Sequence, residues 1–422
     1  MPRLLVGNRV SDDLIGTWGK SALGWWAQRL LWFVREGDVA VLPETPDEDF
    51  LAYVVELLGI DRAAVKFVVP DDLAGDWLLG PGLLTQLREA LAGRDIETVF
   101  ALSPDSSVAE LARRLEIESA LPGFSFLTQG GAAIADSKAV FRALAAGSGL
   151  PLPEGGVCAN PEDAHRLITR LLELGPVIVK KEFLAGGSGN QVLTRSGKIQ
   201  VNGAERTLVL EENGDAVRAY LDENWEWLSE GRRHRVVVER FYPGSRAIFA
   251  EFWISDDSIE LGGQGEMVAA PVPDHSYIPT PALIPEQEGA LMAGGRRLCE
   301  VLQAMGYRGV LSADAIIVGD EVLFTEYNGL VTGSTHVYHM GRRLVGENYA
   351  RDRVLREQVS WKVESFGHAR AHLAREGLAY DHATRTGVVL LNAWRAASEA
   401  VPYCLVAEDV EAAERLEKRL KS

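Results

Sequence analysis

A chain of 422 residues is too long for one ordinary core, and its 47% hydrophobic and 24% charged residues exclude both a disordered and a fibrous protein. Its 43 basic against 60 acidic side chains leave a net charge of -17, which repels nucleic acid and anionic membrane surfaces and sets both aside as partners. Cys158, Cys299 and Cys404 are scattered and no run nears the ~20 apolar residues of a membrane span, so the expectation is a cytoplasmic enzyme with reduced thiols.

Short β-rich runs alternate with helical segments from the start: RLLVGN, SALGWWAQRLLWFV, DVAVLP, DFLAYVVELLG, AVKFVVP, PGLLTQLREALAG, IETVFALSP and SSVAELARRLEI. Such alternation predicts a parallel α/β domain over residues 1–122, ending near the Leu-Pro-Gly at 121–123. Trp25, Trp26 and Trp32 lie at helical spacing, which suits core residues and also a recognition surface for a bulky partner. A helix beginning near Asp136 or Ser137 opens a second, α+β domain over 123–345, with strands PVIVKKEF, TLVLEE, RVVVERF and AIFAEFWIS and a helix at GALMAGGRRLCEVLQAMG. The tail, 346–422, reads as a small appendage of two strands, TGVVLLNAW and PYCLVA, with a helix on either side. Charge is uneven as well. Residues 1–120 hold 11 Lys and Arg against 20 Asp and Glu, whereas 176–246 hold 11 against 10, so an anionic ligand suits the middle.

Three segments carry chemistry. In VIVKKEFLAGGSGN a strand ends on Lys180 and Lys181, and Gly186, Gly187, Ser188 and Gly189 follow. A lysine neutralises phosphate charge and glycines let backbone N–H groups approach phosphate oxygens, though a hairpin turn beside a solvated lysine pair fits the same residues. This is no Walker loop, because the lysine precedes the glycines. In VVVERFYPGSR the strand reaches Glu239, Arg240, Phe241 and Tyr242 before a Pro-Gly turn, an arrangement able to meet an adenine edge with backbone and cover it with a ring. In GYRGVLSADAIIVGDEVLFTEYNGLVTGSTH, Asp314 lies on one strand and Glu326 and Asn328 lie two apart on the returning one. Period two puts the last pair on one face, and a hairpin in register brings Asp314 to the same point. Two carboxylates and an amide oxygen suit Mg²⁺ shared with phosphates, and exposed strand polars are the plainer reading.

The order of these pieces, with Lys138 ahead of them, resembles the ATP-grasp superfamily. The N-terminal LLVGNRVSDDLIGTWGKSALGWWAQRLLWF and the final TGVVLLNAWRAASEAVPYCLVAEDVEAAERLE are similar to the pheganomycin-type peptide ligases. The resemblance implies a Rossmann-like pre-ATP-grasp domain, an ATP-grasp fold and a small C-terminal α/β domain. It also implies that Lys138 and Lys180 hold the ATP phosphates under a lid formed by Gly186 to Gly189. Glu239 to Tyr242 would line the adenine pocket, and Asp314, Glu326 and Asn328 would hold one or two Mg²⁺ ions. The implied reaction joins a small-molecule carboxylate to an amine or peptide through an acyl phosphate, releasing ADP and phosphate, in the biosynthesis of specialised peptides such as antibiotics. A carboxylate-thiol ligase, a small-molecule kinase and a non-catalytic ATP-binding module share the scaffold. A homodimer through the α/β domain is compatible with it.

Three departures stand out. Arg246 occupies the place where many family members carry an acid for the ribose hydroxyls, and Ser312 and Leu330 stand where many carry arginines. Lys181, Arg246 and the Arg232, Arg233, Arg235 cluster are the expected substitutes, a solvated turn being the other reading of the cluster. The TGSTH stretch offers Thr332 and Ser334 to cradle an acyl phosphate or a substrate carboxylate, and His336 to orient the amine or take its proton, or else to serve structure alone.

Overall fold

The structure, a computed structural model, describes residues 1–8, 21–73, 75–184, 186–197, 199–212, 215–269, 273–281 and 283–422. The part of the N-terminal motif at 9–20 lies outside the described residues. The short, largely apolar runs at the start form a parallel sheet from β1 (Leu4–Val6), β2 (Val39–Val41), β3 (Lys66–Val68) and β4 (Val99–Ala101), in the order β3-β2-β1-β4. Parallel neighbours need crossovers, and helices such as Glu48–Leu58 and Pro81–Leu91 supply them. Asp47 caps the first, its side chain accepting from Phe50 N, and Gly59 ends it in the left-handed region at φ +64°.

The second sheet holds β5 (Gly155–Cys158), β6 (Val177–Lys181), β7 (Asn190–Thr194), β8 (Arg206–Val209) and β9 (Val236–Arg240), ordered β5-β9-β6-β7-β8. One face packs Val177, Val179, Val236 and Val238 on helices Pro161–Leu172 and Ala216–Leu228. Ile178, Val192 and Phe241 form a smaller apolar cluster on the other face.

The third sheet has eight strands, β10 (Arg246–Ile254), β11 (Ile259–Ala269), β12 (Pro273–Ile278), β13 (Gly309–Val318), β14 (Glu321–Asn328), β15 (Val354–Lys362), β16 (Gly387–Leu390) and β17 (Ala400–Ala407). Their order is β14-β13-β10-β11-β12-β15-β17-β16. The tail expected as an appendage therefore extends the central sheet, because β15 pairs antiparallel with β12, Tyr277 opposite Arg356. One core unites residues of both chain ends, among them Leu5, Trp32, Phe50, Phe366 and Tyr403. Trp32 is fully buried and donates Nε1–H to the Leu391 carbonyl at 2.9 Å, while Trp25 donates to Ala393. These two tryptophans thus clamp the N-terminal segment to the tail strands. No helix among the described residues is long and apolar enough to cross a membrane.

Candidate active site

Strand alternation decides which charged side chains enter the space between the second and third sheets. On β6, Lys180 shares the face of Ile178, whereas Lys181 turns with Val177 and Val179 to the helix-covered face. There Lys181 meets Glu230 at 3.2 Å and lies over the Trp227 ring, so it does not supply the expected replacement cation. Lys180 instead reaches Glu239 at 2.6 Å, and Arg142 pairs with the same carboxylate. All three are buried, and two cations on one anion leave a surplus positive charge in the cleft. Glu239 is thereby committed to ion pairs. The N–H groups of Arg240 and Phe241 are also spent, on the carbonyls of Glu154 and Pro176, so of the expected adenine contacts Phe241 and Tyr242 retain their rings. Arg240 lies over the Tyr242 ring.

Helix Lys138–Gly147 runs along this cleft, with the Ser137 hydroxyl accepting from Val140 N as its cap. Lys138 and Arg142 are one turn apart and so share a helix face. Arg142 was missed in the sequence; its spacing from Lys138 was the available signal. Lys138 Nζ donates to the Leu184 carbonyl, in the loop after β6, and lies 3.0 Å from Glu326 Oε2 on β14. Burial alone would lower the Lys138 pKa, yet Glu326, Asp136 and Asp314 together hold it above its ordinary value.

The β13/β14 hairpin places Asp314 opposite Glu326 and Ser312 opposite Asn328, so the four share a face. Asp314 accepts from the Ser312 hydroxyl at 2.7 Å and from Asn328 Nδ2 at 3.1 Å, which leaves the Asn328 amide oxygen uncommitted to that pair. Burial first, and the Glu326 charge second, push the Asp314 carboxyl well above the carboxylate range. Two carboxylates and an amide oxygen with excess negative charge form a donor set that fits a hard dication.

In the loop between β6 and β7, Gly186, Gly187 and Gly189 take φ of +66°, +81° and +76°. A Cβ on Gly187 would come within 2.9 Å of the Gly203 backbone, so this turn requires glycine. The Gly189 N–H is held by Glu205 at 3.1 Å, and Ser188 sits in the same turn.

The model of the pre-ATP-grasp domain matches residues 27–117, and that of the PGM1 C-terminal domain matches 369–420. The L-propargylglycine–L-glutamate ligase of Streptantibioticus cattleyicolor is 26% identical over 381 residues, covering 82% of this chain and 73% of the relative. The chain resembles the ATP-grasp ligases. The carbamoyl phosphate synthase large chain of Thermus thermophilus is 27% identical over 198 residues, 46% of this chain and 17% of that protein's length. Among solved structures, N5-carboxyaminoimidazole ribonucleotide synthetase from Thermus thermophilus superposes with a TM-score of 0.59 at 16% identity, over 100% of this chain and 98% of the other. The biotin carboxylase domain of the Hydrogenobacter thermophilus 2-oxoglutarate carboxylase gives 0.60 at 12% identity, over 100% and 89%.

The expected substitute cations go elsewhere. Arg246 is gripped by Glu266 through Nε and Nη2 at 2.8 and 2.5 Å, and register with Phe249, which faces Asp314, turns it to the opposite sheet face. Arg232 and Arg233 are exposed around the turn before β9, where Arg232 pairs with Glu226. The TGSTH hydroxyls are spent as well. Thr332, Ser334 and Thr335 all donate to Glu251, a fully buried carboxylate whose pKa burial raises against these donors, so they do not cradle a ligand. His336 is buried, with burial first and Arg29 second lowering its pKa well below the ordinary value, which makes it a neutral imidazole.

Proposed function

We propose that this ATP-grasp chain is an ATP-dependent carboxylate–amine ligase that forms an amide through an acyl phosphate. The observation that carries the proposal is Lys138, which ties the loop after β6 to the Asp314–Glu326 carboxylate pair and so joins a phosphate-suited cleft to a metal-suited one. Lys138, Lys180 and Arg142 supply fixed positive charge for the nucleotide phosphates, and Asp314, Glu326 and Asn328 would hold Mg²⁺. Bound there, the ion would neutralise phosphate charge and align the transferred group. The turn at Gly186 to Gly189 covers the phosphates, and Phe241 and Tyr242 offer rings to the base. A substrate carboxylate oxygen attacks the γ-phosphorus as the bond to ADP breaks; an amine then displaces phosphate from the acyl carbon and loses its proton. The ligase relative, whose name joins two amino acids, supports amide formation among the reactions this scaffold hosts.

The test is product analysis with ATP, Mg²⁺ and panels of acids and amines. Expected are ADP, phosphate and, with hydroxylamine, a hydroxamate. AMP and pyrophosphate would overturn the mechanism, and phosphate release without any acid would overturn the ligase.

A further inference from the structure

Glu251 on β10 is fully buried, and no cation is its partner among the described residues. Hydroxyls take that place. Thr332, at 2.5 Å, and Ser334 donate to one carboxylate oxygen, and Thr335 at 2.6 Å and Tyr338 at 3.4 Å donate to the other. All four donors belong to the stretch that leaves the β13/β14 hairpin after Asn328 and enters helix Thr335–Leu344. Strand β11 is shaped for the contact. Its bulge beside Glu251 sets Gly262 and Gly263 against Tyr338, where a Cβ would come within 2.7 Å of the phenol oxygen and 2.8 Å of the ring. A carboxylate buried without a counter-charge costs stability even when hydrogen bonds fill its lone pairs, so stability alone does not account for an acid at this position.

What the carboxylate holds lies around the candidate site. Glu251 stands opposite Ser312, whose hydroxyl goes to Asp314, so it shares the face of Asp314 and Glu326 one strand further in. The loop it grips is tied at other points as well, Gly329 N–H to the Ala135 carbonyl and Val331 N–H to the Leu102 carbonyl, both at 2.9 Å. The Thr332 carbonyl receives Arg29, whose charge partner is Glu357. Lys138 meets this face from the other side, at Glu326 on β14. An in-line transfer brings the attacking oxygen in opposite the leaving ADP, so with the phosphates on the Lys138 side the acid approaches over β10, where the 332–335 loop lies.

We propose that Glu251 is a positioning residue for the acid: touching no reactant, it fixes the 332–335 loop, and through the Thr332 carbonyl the Arg29 segment, against the face that carries Asp314 and Glu326. The inference rests on the ligase reading and adds to it a residue that acts from behind the site. A glutamine here has the same shape but one acceptor oxygen in place of two, so two of the four hydroxyls must turn round and accept from the amide. The buried charge disappears while the loop loses its fixed geometry. Stability and function therefore move apart.

The test is hydroxamate formation with ATP, Mg²⁺, hydroxylamine and the acid of the panel that the native protein turns over fastest, with ATP affinity by calorimetry and melting temperature alongside. Glu251→Gln is expected to raise KM for the acid by about ten-fold, the equivalent of one hydrogen bond, with ATP affinity unchanged and a melting temperature no lower than that of the native protein. Thr335→Val removes one donor and should raise the same KM, and the double variant should fall short of the two effects combined, because both act through one contact. An unchanged KM for the acid in Glu251→Gln overturns the proposal. So does a joint loss of ATP affinity, acid use and melting temperature, the pattern of a carboxylate that serves the fold alone. Where Glu251→Gln fails to fold, Thr335→Val decides, and a native KM in that variant overturns the proposal equally. Absence of hydroxamate with every acid while ATP still binds would instead sink the ligase reading beneath it.

Discussion

Lys138 Nζ lies 3.0 Å from Glu326 Oε2, and this pair connects helix Lys138–Gly147 to the last strand of the β13/β14 hairpin. Both groups are drawn to the cleft by alternation and helical facing. On the proposed function, a phosphate arriving between them would find a buried cation already oriented.

Removing that cation should be felt first by the nucleotide. Lys138→Met is expected to weaken ATP binding by about 1.5–3 kcal/mol, the range for a charge-assisted hydrogen bond, as read by calorimetry. Lys181→Met serves as the contrast, because Lys181 sits on the opposite face with Glu230, and its ATP affinity should match the native protein. Equal losses in the two variants would mean the facing of β6 is wrong.

Glu239 lies between Lys180 and Arg142, so Glu239→Gln leaves two buried cations facing each other. Breaking such a pair costs about 3–5 kcal/mol, and the melting temperature should fall accordingly. Added ATP should recover part of the loss, since phosphate charge replaces the missing carboxylate. A melting temperature unmoved by the substitution would remove the triad from the site's electrostatics.

Glu326→Gln keeps size and hydrogen bonding but deletes one charge opposite the proposed dication. Turnover should drop by orders of magnitude and recover partly at high Mg²⁺ or with Mn²⁺. Superimposable titrations of turnover against Mg²⁺ for the two proteins would displace the metal site from β13 and β14.

Asp314 gives a prediction of opposite sign for stability. Its pKa is raised in the fold, so the native state binds more protons than the unfolded chain and metal-free stability falls as pH rises from the unfolded value through the raised one. Asp314→Asn removes this penalty: without metal, its melting temperature should exceed that of the native protein above neutral pH and converge with it in acid, while turnover is lost. A native protein that gains stability over the same rise in pH would contradict the burial and like charge assigned to Asp314.

Much of the candidate site's geometry was legible because its signals are local. Period two put Glu326 and Asn328 on one face, the Gly-Asp turn at 319–320 set the hairpin that brings Asp314 opposite Glu326, and the glycines of 186–189 marked a turn that needs positive φ. What the sequence determined by itself were these short-range relations and the order in which the pieces follow. Tertiary structure decided the rest, because ion pairing and burial depend on groups far apart in the chain. Glu239 meets Arg142 across 97 residues and Arg29 meets Thr332 across 303. The same packing turned Lys181 away, spent the hydroxyls of Thr332 and Ser334 on Glu251, and drew the tail into the central sheet, since a charge or a strand edge is satisfied by whichever partner the fold brings within reach, and no local pattern names that partner.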